Sequence, residues 1–356
     1  MSIEEKTYCV IVDCYLSIQC VLREVVPVSK ISLNISALAL VKRLCNEAEN
    51  YAVVVEETES GATLIDAGIK AEGGFLAGVI ITEICLGGYG KACVFPVQYG
   101  DVVLPSVYVQ TDHPTLSTLA SQFAGWQIKV DDFSAIASGP ARALALKPKD
   151  LFEKIMYKEE SEVAVLVLET EKKPSEAVIQ HIATKCRVVP KNLFLVLFST
   201  TSLTGAIQVS GRIVETGLFK LMKLGLDPLL VKHAWGYAPI VPLHPSSSEA
   251  MGRTNDAILY GGTANYTVSN EDDEKLENLL KLAPSSASKM LQEAKRLAEK
   301  NPRFLDIFKE AGFDFYKIDP DIFAPAVVVA NNLRTGKTFR AGSLDVEVLK
   351  RSLGLP

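Results

Sequence analysis

The chain has 356 residues, of which 48% are hydrophobic and 22% charged, with a formal net charge of -5. This length and apolar content can fill cores for two ordinary domains, while the mild negative charge offers no global positive field and so excludes nucleic acid as a general partner. Seven cysteines and four scattered histidines (His113, His181, His233, His244) contain no CxxC or HxxxH spacing, which argues against a disulfide framework and a locally encoded metal site.

Residues 1–30 open with Glu4, Glu5 and Lys6 and carry an apolar run at 8–22, interrupted by Asp13 and Gln19. The run is shorter than a membrane span and lacks the positive start of a signal peptide. These residues are expected to be an N-terminal extension or a mis-called start, and the protein is expected to be cytoplasmic, without a membrane partner. From Ser32, SLNISALALVKRLCNEAENY has helical spacing behind a capping residue. YAVVVEET and ATLIDAGIKA, separated by Glu59-Ser60-Gly61, predict a hairpin. Residues 75–86 predict a buried helix, ACVFPVQY an edge strand because of its proline, VYVQTD a further strand, and LSTLASQFAGW a helix ending near Trp126. VAVLVLET and NLFLVLFS flank a helix at 175–185, a β-α-β unit. One long helix is predicted over 202–223, ended by Gly225. DAILYGGTANYTV predicts a strand pair, 272–300 charged helices, and AVVVANNLRTGKTFRAG a hairpin. Strands and helices mix without strict alternation, which gives an α+β class. The polar stretch 147–162 divides a first α+β domain (31–155) from a second (156–356), with interleaving left open.

The predicted long helix sets Gln208, Arg212 and Glu215 at spacings of four and three, on one face beside Ile207, Val214 and Leu218. Spacing alone favours a solvated ion pair worth ~0.3 kcal/mol. The hydroxyl run Ser199-Thr200-Thr201-Ser202 precedes that helix, where free backbone donors suit either an anion or a simple cap. Lys91 follows Gly87-Gly88-Tyr89-Gly90, but Ala92 and the spacing rule out a phosphate loop, and no strand leads into GxGxxG. Arg142 lies near a helix start after Ser138-Gly139-Pro140, and Thr254-Asn255-Asp256 reads as a turn. A GxSxG elbow and a local cysteine signature are both missing. Non-covalent acid-base chemistry is what remains.

Four blocks, ICLGGYGK (84–91), SGPARALA (138–145), AIQVSGRIVETG (206–217) and TNDAILYGG (254–262), together with 61–78, resemble in order and spacing the blocks of the methenyltetrahydromethanopterin cyclohydrolase family. The resemblance runs from about residue 32 towards the C-terminus and leaves out 1–30. It implies two α+β domains enclosing a cleft, a homo-oligomer (dimer or trimer), no metal or prosthetic group, and a pterin substrate. The implied reaction is the reversible hydrolysis of a 5,10-methenyl-tetrahydromethanopterin cation to the 5-formyl derivative in one-carbon metabolism. It assigns Glu215 and Arg212 as the catalytic pair and Lys91 as the glycine-block lysine. Glu215 would shuttle the proton, Arg212 would keep that carboxylate ionised and aimed, and Lys91 would position water or a developing oxygen. Expected substrate contacts are Gln208, Ser202, Thr201, Arg142, Asn255 and Asp256. The alternatives are a non-catalytic pterin-binding module and a hydrolase of a folate-type methenyl substrate.

Overall fold

The computed structural model describes residues 31–298 and 301–355, so the reading of 1–30 as an extension or mis-called start lies outside the described residues. Among these residues twelve strands follow in chain order: β1 (Val54–Glu57), β2 (Thr63–Asp66), β3 (Lys91–Tyr99), β4 (Val102–Thr111), β5 (Trp126–Val130), β6 (Phe133–Ser138), β7 (Ala164–Glu169), β8 (Leu193–Phe198), β9 (Val231–Pro239), β10 (Thr263–Val268), β11 (Val327–Asn332) and β12 (Thr338–Gly342). They form two six-stranded sheets, ordered β1-β2-β8-β7-β6-β5 and β12-β11-β10-β9-β4-β3. In the first, β2, β8 and β7 run parallel; in the second only β10 and β11 do. The α+β class expected from the sequence is what the chain adopts. Each sheet takes strands from both sides of residue 155, so the sheets do not follow a division into 31–155 and 156–356.

The sheet order follows from burial. All six residues of β7 are buried, as a near-continuous apolar run requires when both faces of a parallel strand are covered. Period-two alternation sends Ala164, Leu166 and Leu168 to one side, against Val178, Ile179 and Ile182 of the helix Glu176–Cys186. Val165 and Val167 go to the other, against Val41 and Leu44 of Leu33–Asn46 and Ile81 and Ile84 of Phe75–Cys85. Such a strand needs a neighbour on each edge, and β8 and β6 supply them. The second sheet buries Val107, Val109, Ala234, Ala264 and Val328 in a core with Ile213, Val214 and Leu218.

The β1–β2 and β11–β12 hairpins and the β7-helix-β8 unit form as expected. Three other expectations need correction. The long helix breaks into Leu203–Ser210 and Ile213–Lys223. An unbroken helix would give the Gly211 carbonyl to the Glu215 N–H; here it accepts instead from Gln122 Nε2 at 3.0 Å. Gly211 also lets the helix Phe75–Cys85 pack closely at the break, since a Cβ there would stand 2.7 Å from Thr82 Cγ2. The helix expected through Trp126 is a π-helix, Thr115–Gln122, closed by Phe123 N–H to the Thr118 carbonyl at 2.8 Å, and Trp126 starts the β5–β6 hairpin. Residues 254–262 are not a strand or turn: they complete the helix Ser247–Gly261 and lead into β10. Thr254 and Asn255 are tolerated inside that helix because their side chains bond back to the Ala250 and Met251 carbonyls at 3.0 and 2.8 Å.

Candidate active site

The break at Gly211 makes Arg212 the capping residue of Ile213–Lys223 and puts Glu215 in its first turn, where unpaired amides favour a negative charge. Arg212 and Glu215 are 6% and 4% exposed, which overturns the solvated pair favoured by spacing alone. Their side chains stand 4.0 Å apart, from Nη1 to Oε2.

Arg212 is held from three directions. Its Nη1 donates to the Gln122 carbonyl at 3.4 Å, and its Nη2 to Ser138 Oγ at 3.3 Å and Gln208 Oε1 at 3.5 Å. Gln208 is oriented in turn by donating from Nε2 to Cys85 Sγ at 3.2 Å. The π-helix contributes through its C-terminal carbonyls. Its extra residue per turn leaves Leu119 and Ser121 accepting from Arg142 Nη1 at 3.2 and 2.9 Å, while Gln122 serves Arg212. Arg142 is fully buried, its guanidinium 5.2 Å from the Phe123 ring centroid and 5.7 Å from that of Phe152. It therefore lies behind the cavity wall and not on its surface, where a substrate contact was expected.

Glu215 accepts no hydrogen bond among the described residues. Burial raises its carboxyl from an ordinary 4.5 to about 7, against the opposing pull of Arg212 and Arg142. Burial likewise pulls the Arg142 guanidinium down, with Glu215 opposing. Arg212, Glu215 and Asn255 face a cavity of about 310 Å³. Its walls are largely apolar: Phe123 and Phe219, stacked at 4.5 Å, face it together with Phe315, Tyr316 and Phe323. Glu169, 8% exposed, is a second carboxylate on its wall and accepts from Thr200 Oγ1 at 2.5 Å.

The remaining expected residues stand elsewhere. Lys91 begins β3, is exposed, and pairs with Glu83 at 2.9 Å. It faces a separate depression with Tyr89, His113 and Trp235 that shares no wall with the Arg212–Glu215 cavity. Ser202 caps its helix, accepting from the Gly205 N–H at 3.0 Å, and Thr201 meets the Ser199 hydroxyl at 2.8 Å; neither lines the cavity. Asp256 is fully buried on the other side of its helix and accepts from the Phe304 N–H at 2.7 Å and Ser352 Oγ at 2.6 Å. It ties the C-terminal segments down. Sequence reasoning missed Glu169 and the aromatic wall. Glu169 ends the apolar run of β7, and an acid in the last position of a buried strand was the available signal.

Comparison with known sequences gives the class first: residues 32–353 match the family model described as Cyclohydrolase (MCH). The relatives then narrow it. Methenyltetrahydromethanopterin cyclohydrolase of Methanothermobacter marburgensis is 44% identical over 328 residues, covering 91% of this chain and 100% of the relative. The proteins of that name from Methanocaldococcus jannaschii and Methanococcoides burtonii are 42% and 40% identical, again over 91% of this chain and over 98% and 99% of their own lengths. The chain belongs to this cyclohydrolase family, a family of hydrolases acting on a cyclic amidine.

Proposed function

We propose that this protein hydrolyses the methenyl bridge of methenyl-tetrahydromethanopterin by acid-base catalysis through Glu215. The observation that carries the reading is a buried carboxylate, without a hydrogen bond from the described residues and raised to about 7, beside a fixed arginine in an aromatic cavity. A carboxyl poised near neutrality is suited both to take and to return a proton. The cavity volume falls within the range of small-molecule sites, and its apolar walls suit a flat ring system.

Water adds to the cationic methenyl carbon, and its first proton passes to Glu215. The neutral adduct then collapses: the bond from carbon to the aryl-side nitrogen breaks, and Glu215 returns its proton to that nitrogen. The hydroxyl proton leaves to solvent, and the carbon remains as a formyl group on the pterin-side nitrogen. One proton is released overall. Arg212 holds the Glu215 carboxylate ionised at the start, an effect the substrate's own positive charge reinforces. Gln208 and Ser138 position that arginine, and Asn255 faces the ligand across the cavity. The reading includes the expected homo-oligomer, which sedimentation would check.

The test is the rate at which the methenyl absorbance disappears, measured side by side with methenyl-tetrahydromethanopterin and methenyl-tetrahydrofolate. Loss of both no faster than in buffer sinks the hydrolase reading and leaves a binding module. Preference for the second substrate moves the assignment to a folate-type hydrolase.

A further inference from the structure

The turn 138–142 and the end of the π-helix Thr115–Gln122 meet at one carbonyl. Ser121 accepts there from the Gly139 N–H at 2.8 Å and from Arg142 Nη1 at 2.9 Å, and the same Nη1 donates to the Leu119 carbonyl at 3.2 Å. The two joined segments supply two of the three groups that hold Arg212: the Gln122 carbonyl comes from one and Ser138 Oγ from the other. Gln122 also holds the Gly211 carbonyl, at the break that starts the Glu215 helix. Packing alone does not account for a cation in this place. Arg142 is fully buried, and among the described residues its Nε and Nη2 have no hydrogen-bond partner. Its guanidinium meets the rings of Phe123 and Phe152, contacts that an apolar side chain also makes. A buried charge satisfied only in part costs more than an apolar residue of similar volume, so this group calls for a further reason.

We propose that Arg142 is a positioning residue for the hydrolysis: without touching substrate, it fixes the π-helix end and the turn 138–142 as one frame, and that frame aims Arg212 at Glu215. This deepens the hydrolase reading above and rests on it. The charge of Arg142 works in the same direction as its geometry, because Arg212 and Arg142 both favour the ionised Glu215. The other groups around that carboxylate do not replace them. Burial pushes the phenols of Tyr266 on β10 and Tyr316 on the cavity wall far above neutrality, and Glu169 on that wall is an acid. Lys220, on the Glu215 helix, turns to the Asp321 carbonyl at 3.0 Å.

The test is turnover of methenyl-tetrahydromethanopterin against pH in the wild type, Arg142→Met and Arg142→Lys. Methionine fills the place and removes both donors and charge. It is expected to lower kcat about tenfold with KM within about twofold, since misaligning a reacting group costs rate more than ground-state binding. The acid limb of kcat/KM is expected to move up by about half a pH unit, because Glu215 loses one of its two favourable charges. Lysine keeps the charge and can donate to both carbonyls, so it should return the limb to the wild-type position and kcat to within about threefold. A residue needed only for packing would lower Tm, or raise KM through a loosened wall, with kcat and the limb unmoved; that result overturns the assignment. Where the methionine variant does not fold, Arg142→Gln, neutral and able to donate, takes its place with the same expected shift of the limb. Failure of both to fold makes Arg142 a residue of the fold and likewise overturns its positioning role. A wild type that does not turn the substrate over sinks the hydrolase reading itself, whereas wild-type turnover with unmoved variants sinks the positioning role alone.

Discussion

Replacing Glu215 with glutamine separates its chemical role from its cost to the fold. Lifting a buried carboxyl from 4.5 to about 7 corresponds to about 3 kcal/mol against the ionised form, at 1.36 kcal/mol per tenfold. Below pH 4.5 the group is protonated in both the folded and unfolded chain, and no cost is present. Between 4.5 and 7 the unfolded chain has released its proton while the folded one retains it, so stability falls as pH rises. Above 7 the full cost is in place. Glu215→Gln keeps the shape and removes the charge, so it should match the wild type in stability at pH 4.5 and exceed it by about 3 kcal/mol at pH 8. For a chain of 356 residues that is roughly 4 °C in Tm. The same variant should lose about 100- to 10,000-fold in turnover. Thermal unfolding at the two pH values, with turnover measured on the same preparations, is the assay. A Tm gain that is absent, reversed, or equal at both pH values would refute the reasoning, because it would mean that the carboxylate is not held against its own desolvation.

Three further outcomes follow from the site and its surroundings. In the wild type, kcat/KM should fall about tenfold per pH unit below about 7, as the free enzyme's Glu215 takes up its proton; a rate flat to pH 5 would assign the base elsewhere. Lys91→Ala should leave kcat/KM within about twofold, because its surface pair with Glu83 lies outside the cavity and exposed pairs contribute little; a hundredfold loss would return Lys91 to the chemistry. Asp256→Ala should destabilise by about 2 kcal/mol at pH 6 by stranding the buried Phe304 N–H, with kcat retained, as a urea midpoint and a rate assay would read. Burial holds the Asp256 carboxyl near 7, so at pH 6 it is mostly protonated and removing it relieves little buried charge.

Much of the fold was legible from residue patterns. β7 and β8 are apolar runs bounded by polar turns, and the helix between them has the spacing of a surface-covering element. The two correct hairpins carry glycine at their turns. Resemblance singled out Arg212 and Glu215, which spacing alone assigned to the solvent. Local patterns failed where a distant residue decided the outcome. The helix over 202–223 breaks because Gln122, 89 residues away, takes the Gly211 carbonyl. Asn255 and Asp256 are adjacent in sequence, and turn statistics treated them alike; their helix sends one to the cavity and the other to Phe304 and Ser352.

The sequence by itself determined the class of fold, the family and the residue types available for proton transfer, because propensity, periodicity and motif order are written in neighbouring residues. Only the tertiary structure decided that Glu215 is buried, that Arg142 lies behind the cavity wall, and that Lys91 stands apart from it. Burial and through-space charge depend on which segments pack together, and that is settled by the two interleaved sheets rather than by any stretch of chain.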